Sequence, residues 1–169
     1  MRTSRKIYLL LFGLILTGFF IPENFQMPVR GATASSYNKN SYWYYPWGKS
    51  GTHKGVDVFA KEGMPVVAST TGIVLYTGDI QLGGNVVLLL GPKWRLHYFA
   101  HLEKISTSSF SLLNAGEDLG TVGTTGNAKG KQPHLHYSIV TLIPYVWRID
   151  STHQGWKKMF YLNPIDFLN

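Results

Sequence analysis

Residues 84–102 read GNVVLLLGPKWRLHYFAHL. Two runs of apolar and aromatic residues, Val86–Leu90 and Trp94–Leu102, are too short for ordinary helices and are separated by a Gly-containing turn. Outward from this stretch the same texture continues in Val66–Ser69, Gly72–Tyr76 and Leu135–Val140. Gly83-Gly84-Asn85 falls between two of the runs, where a hairpin is expected. After residue 31 no long 3.6-residue periodicity occurs, and the chain contains no internal repeat or low-complexity tract. Many short strands divided by glycine turns predict an all-β fold of antiparallel sheets, a sandwich or a barrel.

Strand geometry gives the histidines a meaning. Successive side chains on a strand point to opposite faces. His134, His136 and Ser138 then share one face, and Leu135, Tyr137 and Ile139 share the other, the core side. The same alternation puts His97, Phe99 and His101 together on one face of a second strand. An apolar core does not require imidazoles, so two strands presenting them to one groove point to chemistry.

A third stretch completes the set. His53-Lys-Gly-Val-Asp57 offers one nitrogen and one oxygen, with Gly55 expected to let the backbone bend so that both converge. His136 supplies a second imidazole. Two imidazoles and a carboxylate hold a divalent metal with a coordination position left open, the pattern of catalytic zinc. His134, two residues from His136 on the same face, is placed as general base; His101 is placed to stabilise the oxyanion or shuttle protons from the other side. His97 reads as a partly buried structural residue, and His153, in a polar stretch, as exposed. Tyr42-Trp43-Tyr44-Tyr45-Pro46-Trp47 reads first as packing over a sheet edge and second as the lining of a cleft. Gly123, Gly126 and Gly130 read first as turn residues and second as places where a substrate backbone approaches closely.

The chain has 169 residues and no cysteine, which excludes a thiol nucleophile, a Cys-ligated zinc and a disulfide framework. Arg2, Arg5 and Lys6 precede an uncharged run from Ile7 to Ile21. This has the form of an export signal; the run is short for a membrane span, and Ala32-Thr33-Ala34 has the small-x-small form of a cleavage site. Residues 1–31 are therefore expected to be a signal peptide or short membrane anchor, 32–45 a linker or arm, and 46–169 the catalytic domain. The polar, Ser/Asn-rich stretch 23–42 reads as a loosely attached segment. The formal charge of +7 falls to +4 without residues 1–31 (12 basic, 8 acidic side chains). That balance suits an anionic wall or membrane surface, and no nucleic-acid-binding motif accompanies it.

At these motifs the sequence resembles the lysostaphin-type (LytM-like) zinc metallo-endopeptidases, which cut peptide cross-links in bacterial peptidoglycan. The resemblance runs through His53-Lys-Gly-Val-Asp57-Val-Phe-Ala, Gly63-Met-Pro-Val-Val-Ala68, Phe99-Ala-His101-Leu102, Gly123-Thr-Thr-Gly126 and Pro133-His-Leu-His-Tyr137, with Asn163-Pro164-Ile165 at the close. It implies antiparallel sheets forming a narrow groove with Zn2+ at the floor, His53, Asp57 and His136 as ligands, and His101 and His134 as catalytic residues. Two departures stand out: Phe99 replaces the family's usual Tyr, and the segment Thr141–Tyr161 is longer than the pattern needs.

The expected protein is an exported monomeric zinc endopeptidase of the periplasm or cell exterior, acting on peptidoglycan stems or cross-bridges. It touches a membrane only if the N-terminal segment is uncleaved. The competing readings are a non-catalytic wall-binding regulator on the same fold, which would usually lack a metal position, and a non-haem iron oxygenase. The His53–Asp57 spacing and the additional His pair disfavour the latter.

Overall fold

The fold is that of a computed structural model, which describes residues 2–168. One α-helix, α1 (Arg2–Phe20), precedes nine strands: β1 (Val56–Phe59), β2 (Pro65–Val67), β3 (Gly72–Ile80), β4 (Gly84–Gly91), β5 (Arg95–Ile105), β6 (Leu112–Leu113), β7 (Asp118–Val122), β8 (His134–Thr141) and β9 (Tyr161–Leu162). All pairings among the described residues are antiparallel, in the order β1-β8-β5-β4-β3-β6, with β9 on β8 and β7 joining β2 to β5. The hairpin expected at residues 83–85 joins β3 to β4, with Ile80 opposite Gly84.

Register decides which side chains share a face. Val56, Asp57, Val58 and Phe59 lie opposite Tyr137, His136, Leu135 and His134, and Phe99 and Ala100 lie opposite Tyr137 and His136. Val56, Val58, Phe99, Leu135, Tyr137 and Ile139 are fully buried on the core side. Burial of each such side chain is worth about 1.5–3 kcal/mol. This apolar face fixes the register, because a one-residue slip would turn Asp57, His134 and His136 into the core.

The alternation fails at one place on β5. Two residues, Ala100 and His101, stand where β4 offers one between Asn85↔Leu102 and Val87↔Phe99, and His101 has φ +65°. This β-bulge returns Leu102 to the core and leaves Ala100 and His101 together on the groove side. Beyond it, β5 turns onto β7. His97, Phe99 and His101 therefore do not share a face: His97 and Phe99 are buried in the core, and Tyr98 faces the groove.

Residues 23–42 are not loosely attached. Val29 bridges Val66 and is fully buried, Tyr37 bridges Val58, and Phe25 stacks on Phe167 at 4.5 Å. The Glu23 side chain, 1% exposed, pairs with Arg95 and lies 3.5 Å from His97 Nε2. Composition misled here because the contacts come from scattered residues, Glu23, Phe25, Val29 and Tyr37, rather than from a periodic run. Helix α1 touches the domain where Trp94 Nε1 donates to Ile15 O at 2.8 Å. Among the described residues no helix is long and apolar enough to cross a membrane.

Candidate metal centre

Three segments meet at the floor of a groove of about 410 Å³. His53 closes a hairpin, with its N–H on Tyr44 O (3.0 Å) and its carbonyl accepting from Trp43 N (2.7 Å). Asp57 follows on β1, paired directly with His136 of β8. The close approach needs Gly55: a Cβ there would lie 2.4 Å from Ser138 Oγ, 2.5 Å from Tyr137 O and 2.9 Å from His136 Cε1. Gly55 thus gives β8 clearance at the bend that leads into β1.

His53 Nε2 lies 3.0 Å from Asp57 Oδ1 and 3.1 Å from His136 Nδ1, and His136 Nδ1 is 2.8 Å from the same oxygen. The surroundings set the tautomers. His53 Nδ1–H donates to Ser41 O at 2.9 Å, which leaves Nε2 as a lone pair. His136 Nε2 is 3.0 Å from Ser138 Oγ; with its proton there, Nδ1 is a lone pair too. Burial lowers the His136 pKa and keeps the ring neutral. Burial would raise the Asp57 carboxyl, but the facing rings of His136 and His53 outweigh it and hold the group well below the usual carboxylate range, as an anion. Three electron-pair donors thus converge, an arrangement that is repulsive on its own and complementary to a divalent cation. Two nitrogens and one oxygen suit zinc.

Two more imidazoles border the cluster. His134 Nδ1–H donates to Gln132 O (2.7 Å), and its Nε2 lies 4.0 Å from Asp57 Oδ2. His101, carried in by the bulge, donates Nδ1–H to Thr125 O (3.0 Å). The two rings are 5.1 Å apart and nearly perpendicular. Burial, reinforced by His136 and His134, pushes His101 down to about 4, so it is neutral at neutral pH. The chain thus brings together His53, Asp57, His101, His134 and His136.

His97 lies behind the sheet, outside the groove. It is fully rather than partly buried, and its Nδ1 sits 2.7 Å from the Tyr137 hydroxyl and 3.2 Å from Ser69 Oγ. Phe99 packs on Tyr137 at 5.2 Å in the core. His153 is exposed, with its ring stacked on Tyr45 at 4.1 Å. The aromatic stretch divides: Trp43 is buried and donates to His153 O, whereas Trp47 stacks on His53 at 4.2 Å and lines the groove. Tyr98, which also lines the groove, was hidden from sequence reading by the bulge. The carbonyl partners Ser41, Thr125 and Gln132 carry no sequence signal, because any residue type presents that atom.

An antiparallel sheet with a His–Asp–His cluster in the floor of its groove defines the lysostaphin-type peptidase fold. The chain belongs to peptidase family M23, whose sequence pattern matches residues 51–146. It is 32% identical over 124 residues to the L-Ala--D-Glu endopeptidase of Bacillus subtilis (strain 168), covering 68% of this chain and 37% of that protein. It is 31% identical over 126 residues to the glycyl-glycine endopeptidase ALE-1 of Staphylococcus capitis, covering 72% and 34%. The crystallised catalytic domain of lysostaphin from Staphylococcus simulans superposes with a TM-score of 0.62 at 26% identity, covering 80% of this chain and 97% of that domain. The chain spans about a third of the length of the two curated relatives.

Proposed function

We propose that this protein is an exported zinc endopeptidase that hydrolyses peptide bonds in peptidoglycan. His53, Asp57 and His136 would hold the metal. A zinc ion there would supply Lewis acidity to polarise the scissile carbonyl and to acidify a water. The residues supply the rest. His134 Nε2, left basic by the Nδ1–H bond to Gln132 O, takes the proton of the attacking water and returns it to the departing amine. His101, held by Thr125 O on the opposite flank, steadies charge developing on the carbonyl oxygen and exchanges protons with His134. Trp47, Phe59 and Leu82 give the groove apolar walls for an extended peptide.

The observation that carries this reading is the convergence of His53 Nε2, Asp57 Oδ1 and His136 Nδ1 with every distance at or under 3.1 Å. Family membership supports the reaction class, and relatives named as L-Ala--D-Glu and glycyl-glycine endopeptidases support a wall-peptide substrate. The test is His136→Ala, which removes a metal donor from the groove side of β8. Metal retention and release of peptides from purified sacculi are both expected to be abolished. Undiminished digestion by that variant would overturn the assignment.

A further inference from the structure

The groove is positively charged in a way that the proposed hydrolysis does not use. Lys54 and Lys131 line it, and Asp57 is the only acidic side chain among its described lining residues. Neither lysine has a salt-bridge partner among the described residues. Lys54 Nζ instead donates to two backbone carbonyls, Ser50 O at 2.9 Å and Thr52 O at 3.2 Å, leaving a third N–H.

The segment 141–161 reaches this same rim. Gln154 Nε2 donates to Ser50 O at 3.2 Å, the carbonyl that Lys54 also uses, and Gln154 Oε1 accepts from Lys157 Nζ at 3.4 Å. Lys157 also lies over the Trp156 ring at 5.5 Å. Two ammonium groups are thus linked through neutral partners, the Ser50 carbonyl and the Gln154 amide, with no salt-bridge partner for either among the described residues. An anionic ligand group is the natural complement.

We propose that Lys54 and Lys157 form a subsite for a free carboxylate of the substrate peptide, so that the groove prefers carboxylate-bearing stem segments to neutral glycine bridges. This rests on the reading of the groove as a peptidoglycan-peptide site. It gives the 141–161 segment a role: Gln154 pins the loop that carries Lys54, and Lys157 adds the second charge. Similarity alone does not decide this point, because one relative is named for an L-Ala--D-Glu bond and another for a glycyl-glycine bond at nearly equal identity.

The test is calorimetric binding to the zinc-loaded full chain of two probes: a stem tetrapeptide with free carboxylates and the same peptide with its carboxylates amidated. The acid form is expected to bind about tenfold more tightly. Lys157→Gln is expected to erase most of that preference while leaving affinity for the amidated peptide unchanged. Equal binding of the two probes, or a preference that survives both Lys157→Gln and Lys54→Met, would overturn the proposal. Peptide release is measured in parallel. Binding preference without hydrolysis would refute the enzymatic reading and keep the subsite; hydrolysis without preference would do the reverse.

Discussion

Removal of residues 1–31, the segment that composition marks as dispensable, is expected to cripple the fold. The cut takes away Val29, which is fully buried against Val66. Loss of that burial costs about 1.5–3 kcal/mol. It also takes away Glu23 and leaves Arg95, whose side chain is 9% exposed, without its partner. Breaking a buried pair from one side costs about 3–5 kcal/mol. The exposed Arg30–Asp118 pair adds little. Together the loss is about 5–8 kcal/mol before relaxation, and turning Arg95 toward water recovers part of it. Whole domains have only about 5–15 kcal/mol in hand. At about 2–4 °C per kcal/mol, Tm should drop by about 10 °C or more. A chain beginning at Pro22 keeps every one of these contacts and should match the full chain. Thermal unfolding by circular dichroism compares the three, and N-terminal sequencing of exported protein should place any natural cut before Glu23. Equal Tm values for chains beginning at residues 22 and 32 would show that Glu23 and Val29 do not hold the fold.

Three other outcomes follow from the geometry. His101→Gly relieves a left-handed backbone position while deleting an imidazole, so stability should hold or rise by up to ~1 kcal/mol as activity falls by about 10²–10⁴-fold; urea midpoints and peptide release measure the two. Ser138→Ala removes the partner of His136 Nε2 and should weaken zinc binding about 10-fold or more, as read by chelator competition. Burial lowers the His97 pKa, so the native state holds this ring neutral where the unfolded chain binds a proton below pH about 6.5. Its stabilising contribution is complete above that pH and is lost as pH falls below it. The groups facing it are Glu23, Arg95, Ser69 and Tyr137. His97→Gln should flatten the fall in urea midpoint between pH 7 and 5, leaving the part that His101 contributes with the same sign.

The sequence exposes the strands and the cluster because both rest on local rules. Alternation along residues 134–140 separates His136 from Tyr137 without knowledge of the fold, and the spacing of His53 and Asp57 about a glycine marks a convergent pair. What stays hidden is non-local or breaks the alternation. The bulge at His101 has no glycine to announce it, so counting in twos puts His97 on the wrong face and conceals Tyr98. Glu23 lies 72 residues from Arg95, and its isolated acidic letter in a polar stretch gives no hint of burial. The chain Lys54–Ser50–Gln154–Lys157 depends on a loop and a distant segment meeting, which no spacing rule foresees.

On the proposed function, one divalent ion held by His53, Asp57 and His136 would make this groove a peptide hydrolase. Counting new amine ends in purified peptidoglycan after metal stripping and after return of one equivalent of zinc tests it most directly. Amine release is expected to stop on stripping and to resume with zinc. Release that continues unchanged in the metal-free chain would contradict it.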